Sequence, residues 1–99
     1  MKVLAVCGLG IGSSIVLKIN VGKVLDQLGV EDYQLDVADI GSAQSIHFDM
    51  AVTSVELADV LSKKMPDDQK WRVIAISNFV DKKEMAEKVS ACLERLGAK

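Results

Sequence analysis

Cys7 stands where the apolar run VLAVC (3–7) ends and a stretch of glycine and serine, GLGIGSS (8–14), begins. Gly8, Gly10 and Gly12 carry no Cβ, so the backbone can take positive φ there and turn successive N–H groups inward as an anion-binding nest. Ser13 and Ser14 add hydroxyls. A helix opening at these serines points its unpaired N–H groups and the positive end of its dipole toward the same place. That field favours thiolate over thiol, which would make Cys7 an exposed nucleophile at a helix N-terminus. A reactive thiolate beside an anion cradle points to phosphorus chemistry in which a phosphoryl group is carried on sulfur.

The plainer reading is that Cys7 is a small core hydrophobe at a strand end, next to the kind of glycine-rich turn common in α/β proteins. The separation of Cys7 from Ser13 by five residues, with a helix opening at the serines, argues for the chemical reading. Other glycine motifs fit poorly. Position 13 is serine where a dinucleotide GxGxxG loop has its third glycine, and no Lys-Ser/Thr follows Gly12 as a P-loop requires. The spacing resembles the C-x5-R-[ST] loop of low-molecular-weight tyrosine phosphatases, except that Ser13 occupies the arginine position. Such phosphatases bind phosphate bidentately through that arginine and activate water with an aspartic acid, often in an Asp-Pro loop. Here the single proline, Pro66, follows Met65. Hydrolysis is therefore expected to be slow, leaving a phosphocysteine time to be handed on. The competing classes are a phosphatase or arsenate-reductase-like enzyme using Cys7, which the missing arginine opposes, and a small nucleotide-binding or redox module. The latter is weakened by the absence of CxxC and of a complete nucleotide motif.

Elements that would position Cys7 follow from periodicity. KVLAVC (2–7) reads as a strand buried on both faces. SSIVLKINVGKVLDQLG (13–29) changes to helical spacing through Ile15, Val16, Ile19, Val24, Leu25 and Leu28, with Ser13 or Ser14 as cap and Gly29 as stop. YQLDVA (33–38), FDMAVT (48–53) and WRVIAIS (71–77) read as three further strands. SVELADVLSKKM (54–65), capped by Ser54, and DKKEMAEKVSACLERLG (81–97), opening on Asp81-x-x-Glu84 and closing on Gly97, read as helices. DIGSAQSIH (39–47) is too short for a full crossover helix and holds a turn or a single helical turn. This alternation predicts an α/β fold: one domain with an open four-stranded parallel sheet, simplest order 2-1-3-4, and helices on both faces. Ligands bind such sheets beyond the carboxyl ends of the strands where strand order reverses, which for this order is just after strand one, at Cys7.

Composition bounds the partners. The chain has 99 residues, 49% hydrophobic and 26% charged, with a formal charge of −2 and no basic run, so neither nucleic acid nor anionic lipid is signalled. No apolar stretch is long enough to span a bilayer, and Met1-Lys2 leads into a strand rather than a signal peptide, which suits a cytoplasmic protein. Cys7 and Cys92 lie far apart without CxxC or zinc-type histidine spacing, so reduced thiols and no metal or other cofactor are expected.

The run VCGLGIGSSIVLKINVGKVL (6–25) resembles the start of phosphotransferase-system (PTS) EIIB components of the ascorbate type, with the galactitol and lactose/cellobiose types as more distant relatives. Length and strand–helix order match over essentially the whole chain, while the specific motif is confined to the first 25 residues or so. The resemblance implies a phosphotransferase. Cys7 would take a phosphoryl group from a phosphohistidine of EIIA and give it to a sugar, L-ascorbate for this subtype, bound by the membrane component EIIC. It further implies that Gly8, Leu9, Gly10, Ile11, Gly12, Ser13 and Ser14 form the phosphate cradle.

Other conspicuous residues read structurally. Cys92 falls on the apolar face of the last helix, His47 is a loop histidine before a strand, and Lys18 is a solvated helix lysine. Trp71 opens the fourth strand at a partly buried edge, and Gly22 sits inside a helix where close packing would account for it. Thr53-Ser54 and Ser77-Asn78-Phe79 follow strands three and four and are expected around the same crevice as Cys7, as candidate partner contacts.

Overall fold

The structure, a computed structural model, describes residues 1–7 and 11–97, with the backbone alone at 11–14. In chain order it contains β1 (Lys2–Cys7), α1 (Ile11–Gln27), β2 (Gln34–Asp39), α2 (Ile40–Ala43), β3 (Met50–Ser54), α3 (Val55–Lys63), a 3-10 segment (Asp67–Arg72), β4 (Val73–Ile76) and α4 (Lys82–Leu96). The sheet has the expected order β2-β1-β3-β4 and every pairing is parallel.

β1 is the central strand, buried without interruption from Val3 to Cys7. Side chains alternate across it. Val3, Ala5 and Cys7 face a core completed by Leu17, Val21, Val24 and Leu25 of α1 and Met85, Val89, Cys92 and Leu93 of α4. Leu4 and Val6 face a smaller core with Ala43 of α2 and Leu61 of α3. The continuous apolar run at 3–7 therefore reflects burial on two sides at once.

Local chemistry sets the helix ends. Ser54 caps α3 by accepting from the Leu57 N–H at 3.3 Å, and Asp81 caps α4 by accepting from the Lys83 and Glu84 N–H groups, each at 3.1 Å. Gly97 closes α4 at φ 71°, a left-handed conformation that favours glycine. In the segment after β2, Asp39 accepts from the Ser42 N–H at 2.6 Å and fixes the single helical turn of α2.

The structure departs from the sequence reading at the start and inner face of α1 and at the start of β4. α1 starts at Ile11, so Ser13 and Ser14 lie in its first turn rather than capping it. Its inner face is formed by Leu17, Asn20, Val21, Val24 and Leu25, while Ile15, Val16 and Ile19 are exposed. A helix apolar on every side in its first half has no unique inward face, and docking on the sheet chose one. β4 begins at Val73, not Trp71. Pro66 and two aspartates open the 3-10 segment, the Trp71 indole N–H donates to the Asp68 carbonyl at 2.7 Å, and the guanidinium carbons of Arg72 and Arg95 stand over the ring, 4.6 and 4.7 Å from its centroid. Two cation–π contacts hold the ring outside the strand.

Candidate functional site

Cys7 is the last residue of β1, where the order reverses between β2 on one side and β3 on the other. It is paired with Asp39, and the pairings Val6–Thr53 and Ser54–Ile76 put Ser54 and Ile76 in the same cross-strand row. The thiol is not exposed as the sequence reading expected: Cys7 is 6% accessible and Cys92 4%. The reason is the alternation of β1, which turns Cys7 inward under α1 and α4 rather than outward beyond the sheet. Exposure therefore does not separate the two cysteines. Position does, since Cys92 lies within α4, where burial pushes its thiol up to about 11.

Of the cradle residues, Gly8, Leu9 and Gly10 lie outside the described residues. Ile11, Gly12, Ser13 and Ser14 supply the first turn of α1. The first four N–H groups of an α-helix have no partner within it, and that end of the helix is electropositive.

The polar residues at this end of the sheet brace it. Thr53 is fully buried and its hydroxyl donates to the Val6 carbonyl at 2.7 Å, locking β3 to β1 one residue before Cys7. It is a strut, not the partner contact expected of it, and Ser54 is the cap of α3. The Ser77 hydroxyl donates to Glu84, whose carboxylate also accepts from the Ser77 and Asn78 N–H groups and from Lys88 at 3.0 Å. These bonds, the Lys88 ammonium first among them, hold the Glu84 carboxyl at about 2. Asn78 closes the turn by accepting from the Val80 N–H at 3.1 Å. Asn20, 8% accessible, donates from its amide to the Phe79 carbonyl at 2.7 Å and ties this turn to α1.

A family model described as the lactose/cellobiose-specific IIB subunit of the PTS matches residues 2–91. The chain belongs to the PTS IIB family. It is similar, at 23% identity over 95 residues, to the ascorbate-specific PTS system EIIB component of Mycoplasma pneumoniae (strain ATCC 29342 / M129 / Subtype 1), with 94% of this chain and 95% of that one covered. PTS EIIB domains are phosphotransferases, and the EIIB role implies interaction with EIIA and with the EIIC permease in general. Among the described residues no helix is long and apolar enough to cross a membrane.

For this EIIB chain several sequence candidates fall away from Cys7. His47 precedes Asp49, whose N–H donates to the Lys2 carbonyl at 2.9 Å, so it lies at the amino end of the strands. At the usual strand rise, Lys2 and Cys7 are roughly 16 Å apart. His47 is thus no relay for Cys7. Lys18 is exposed on α1. Gly22 is not forced by packing: a Cβ there would meet Leu35 Cδ2 at 3.5 Å, an ordinary contact.

Two features of the site went unread in the sequence. Asn20 was legible as a polar residue sharing a helix face with Leu17 and Val24. Glu84 was read only as a helix-start signal. Its bonds to Ser77 and Asn78 depend on the turn before α4 folding back onto it.

Proposed function

We propose that Cys7 is the phosphoryl carrier of a cytoplasmic sugar phosphotransferase system, accepting from a phosphohistidine of EIIA and donating to L-ascorbate bound by EIIC. The observation that carries the reading is the position of Cys7: it ends the central strand at the point where strand order reverses, with the first turn of α1 beginning four residues later. In the first step the Cys7 thiolate attacks phosphorus, an S–P bond forms and the N–P bond to the EIIA histidine breaks, leaving imidazole. In the second a sugar hydroxyl attacks, the O–P bond forms as the S–P bond breaks, the hydroxyl proton leaves to a base or solvent, and the thiolate returns.

The residues from Gly8 to Ser14 stabilise the transferring oxygens through backbone N–H groups and the serine hydroxyls. No arginine stands in this loop to promote attack by water. Both partners are macromolecules, and the exposed apolar side chains suit them. Ile15 and Ile19 of α1 are each 51% accessible, Val55 at the start of α3 is 53% and Val80 beyond β4 is 67%, all on segments that follow the carboxyl ends of strands. The name of the Mycoplasma relative supports ascorbate as the sugar.

Incubation with phosphorylated EIIA, read by intact mass, tests the proposal. The wild-type chain gains one phosphoryl group, held through an S–P bond to Cys7, loses it to sugar in the presence of EIIC far faster than to water, and Cys7→Ser gains none while keeping its fold. Steady Cys7-dependent turnover of an aryl phosphate without an acceptor would instead make the chain a phosphatase.

A further inference from the structure

The cavity at the other end of the sheet has no part in this chemistry. It arises because the crossover from β2 to β3 is short. Parallel strands are joined by a dozen or more residues, usually a helix. Here residues 40–49 make the return with only the single turn of α2. The following segment cannot fill the sheet face beside α3, and a cavity of about 420 Å³ remains between residues 43–49, the end of α3 and the 3-10 segment.

Its lining has two characters. Leu61, 1% accessible, and the partly buried Ile46 and Phe48 make an apolar interior. Lys64 stands at the rim, where its ammonium donates to the Gln44 side-chain carbonyl at 3.1 Å, an amide that leaves its charge uncompensated. The other charges nearly cancel: Arg72 donates to the Asp49 carbonyl at 3.1 Å and lies 4.0 Å from the Asp49 carboxylate. Among the described residues Lys64 forms no ion pair with a carboxylate, and His47 adds an imidazole to the same lining.

We infer that this cavity binds a small organic monoanion with an apolar body, such as an aryl or branched aliphatic carboxylate. Its volume falls in the range of small-molecule sites, which combine an apolar lining with a few polar groups that fix orientation. One uncompensated cation matches a single negative charge. A phosphate dianion would need a second cation, and the one available, Arg72, is committed to Asp49.

The test is titration of the isotopically labelled full chain by amide NMR with four probes: benzoate, acetate, benzyl alcohol and inorganic phosphate. Benzoate is expected to shift the amides of His47, Phe48 and Lys64 saturably, and more tightly than the other three. Lys64→Met, which keeps the apolar stem of an exposed side chain, weakens benzoate by about tenfold or more, and Lys64→Arg restores it. The inference is overturned if benzoate gives no saturable shift or if acetate or phosphate binds as well, which would show that the apolar body contributes nothing. Equal binding of benzyl alcohol, or undiminished binding by Lys64→Met, would overturn it by showing that the charge contributes nothing.

Discussion

The two ends of the sheet use polar residues in opposite ways. At the carboxyl end, Thr53, Ser54, Asn20, Ser77 and Asn78 are all engaged with backbone or with Glu84, and the side chains left facing solvent include Ile15, Ile19, Val55 and Val80. At the amino end the apolar groups turn inward to line a cavity and Lys64 stands at its rim. A polar residue near a reactive position is thus no sign that it touches substrate. Around Cys7 such residues hold strands and turns in place, and recognition falls to what they leave uncovered.

That contrast can be broken most sharply at Ile19. Ile19→Asp puts a charge into the proposed contact surface and is expected to raise the KM for phosphorylated EIIA by about tenfold or more, with unchanged melting temperature. Val60→Asp, at a position 42% exposed on α3, is the control and should change neither. Equal effects of the two would remove the distinction between the ends.

The bracing role of Thr53 predicts a stability effect. Thr53→Val keeps the shape but leaves the buried Val6 carbonyl without its side-chain donor, a loss of about 1–3 kcal/mol. Calorimetry should show a lower melting temperature, by about 4–8 °C for each kcal/mol in a domain of this size. An unchanged melting temperature would mean that the hydroxyl is no strut.

Glu84 predicts a pH dependence. Its carboxyl is held at about 2 against an ordinary 4.5, so the folded state binds the ionised form and the unfolded chain takes the proton first. This contribution is fully present above the ordinary glutamate range and is lost as pH falls from 4.5 toward 2. Glu84→Gln should lower the melting temperature at neutral pH and flatten its decline in that acid window. A parallel decline in both proteins would discount the Ser77–Glu84–Lys88 network. The smallest effect is at Gly22. Since a Cβ fits there, Gly22→Ala is expected to stabilise the fold by up to about 1 kcal/mol through helix propensity. Destabilisation would show that α1 and β2 need the closer approach.

Much of this was written locally. The double-sided burial of β1 follows from an unbroken apolar run, and the ends of α3 and α4 from Ser54, Asp81 and Gly97, whose side chains or conformations act on backbone a few residues away. Strand order followed as well, because right-handed crossovers of these lengths admit few arrangements. Cys7 was marked by its place between an apolar strand and a glycine-rich stretch, both contiguous in sequence.

Long-range packing decided the remainder. Periodicity identified α1 as a helix but not its inward face, since its first half is apolar all round and only docking against β1 and α4 buries Leu17 while leaving Ile15 and Ile19 in solvent. Trp71 has strand propensity, yet its two arginine contacts join it to a neighbour in sequence and to one 24 positions away, Arg95. The burial of Cys7 depends on two helices closing over one face, and the cavity beside Lys64 on a crossover too short to cover the other. Each is set by space shared between segments distant in the chain, which no local pattern of residues specifies.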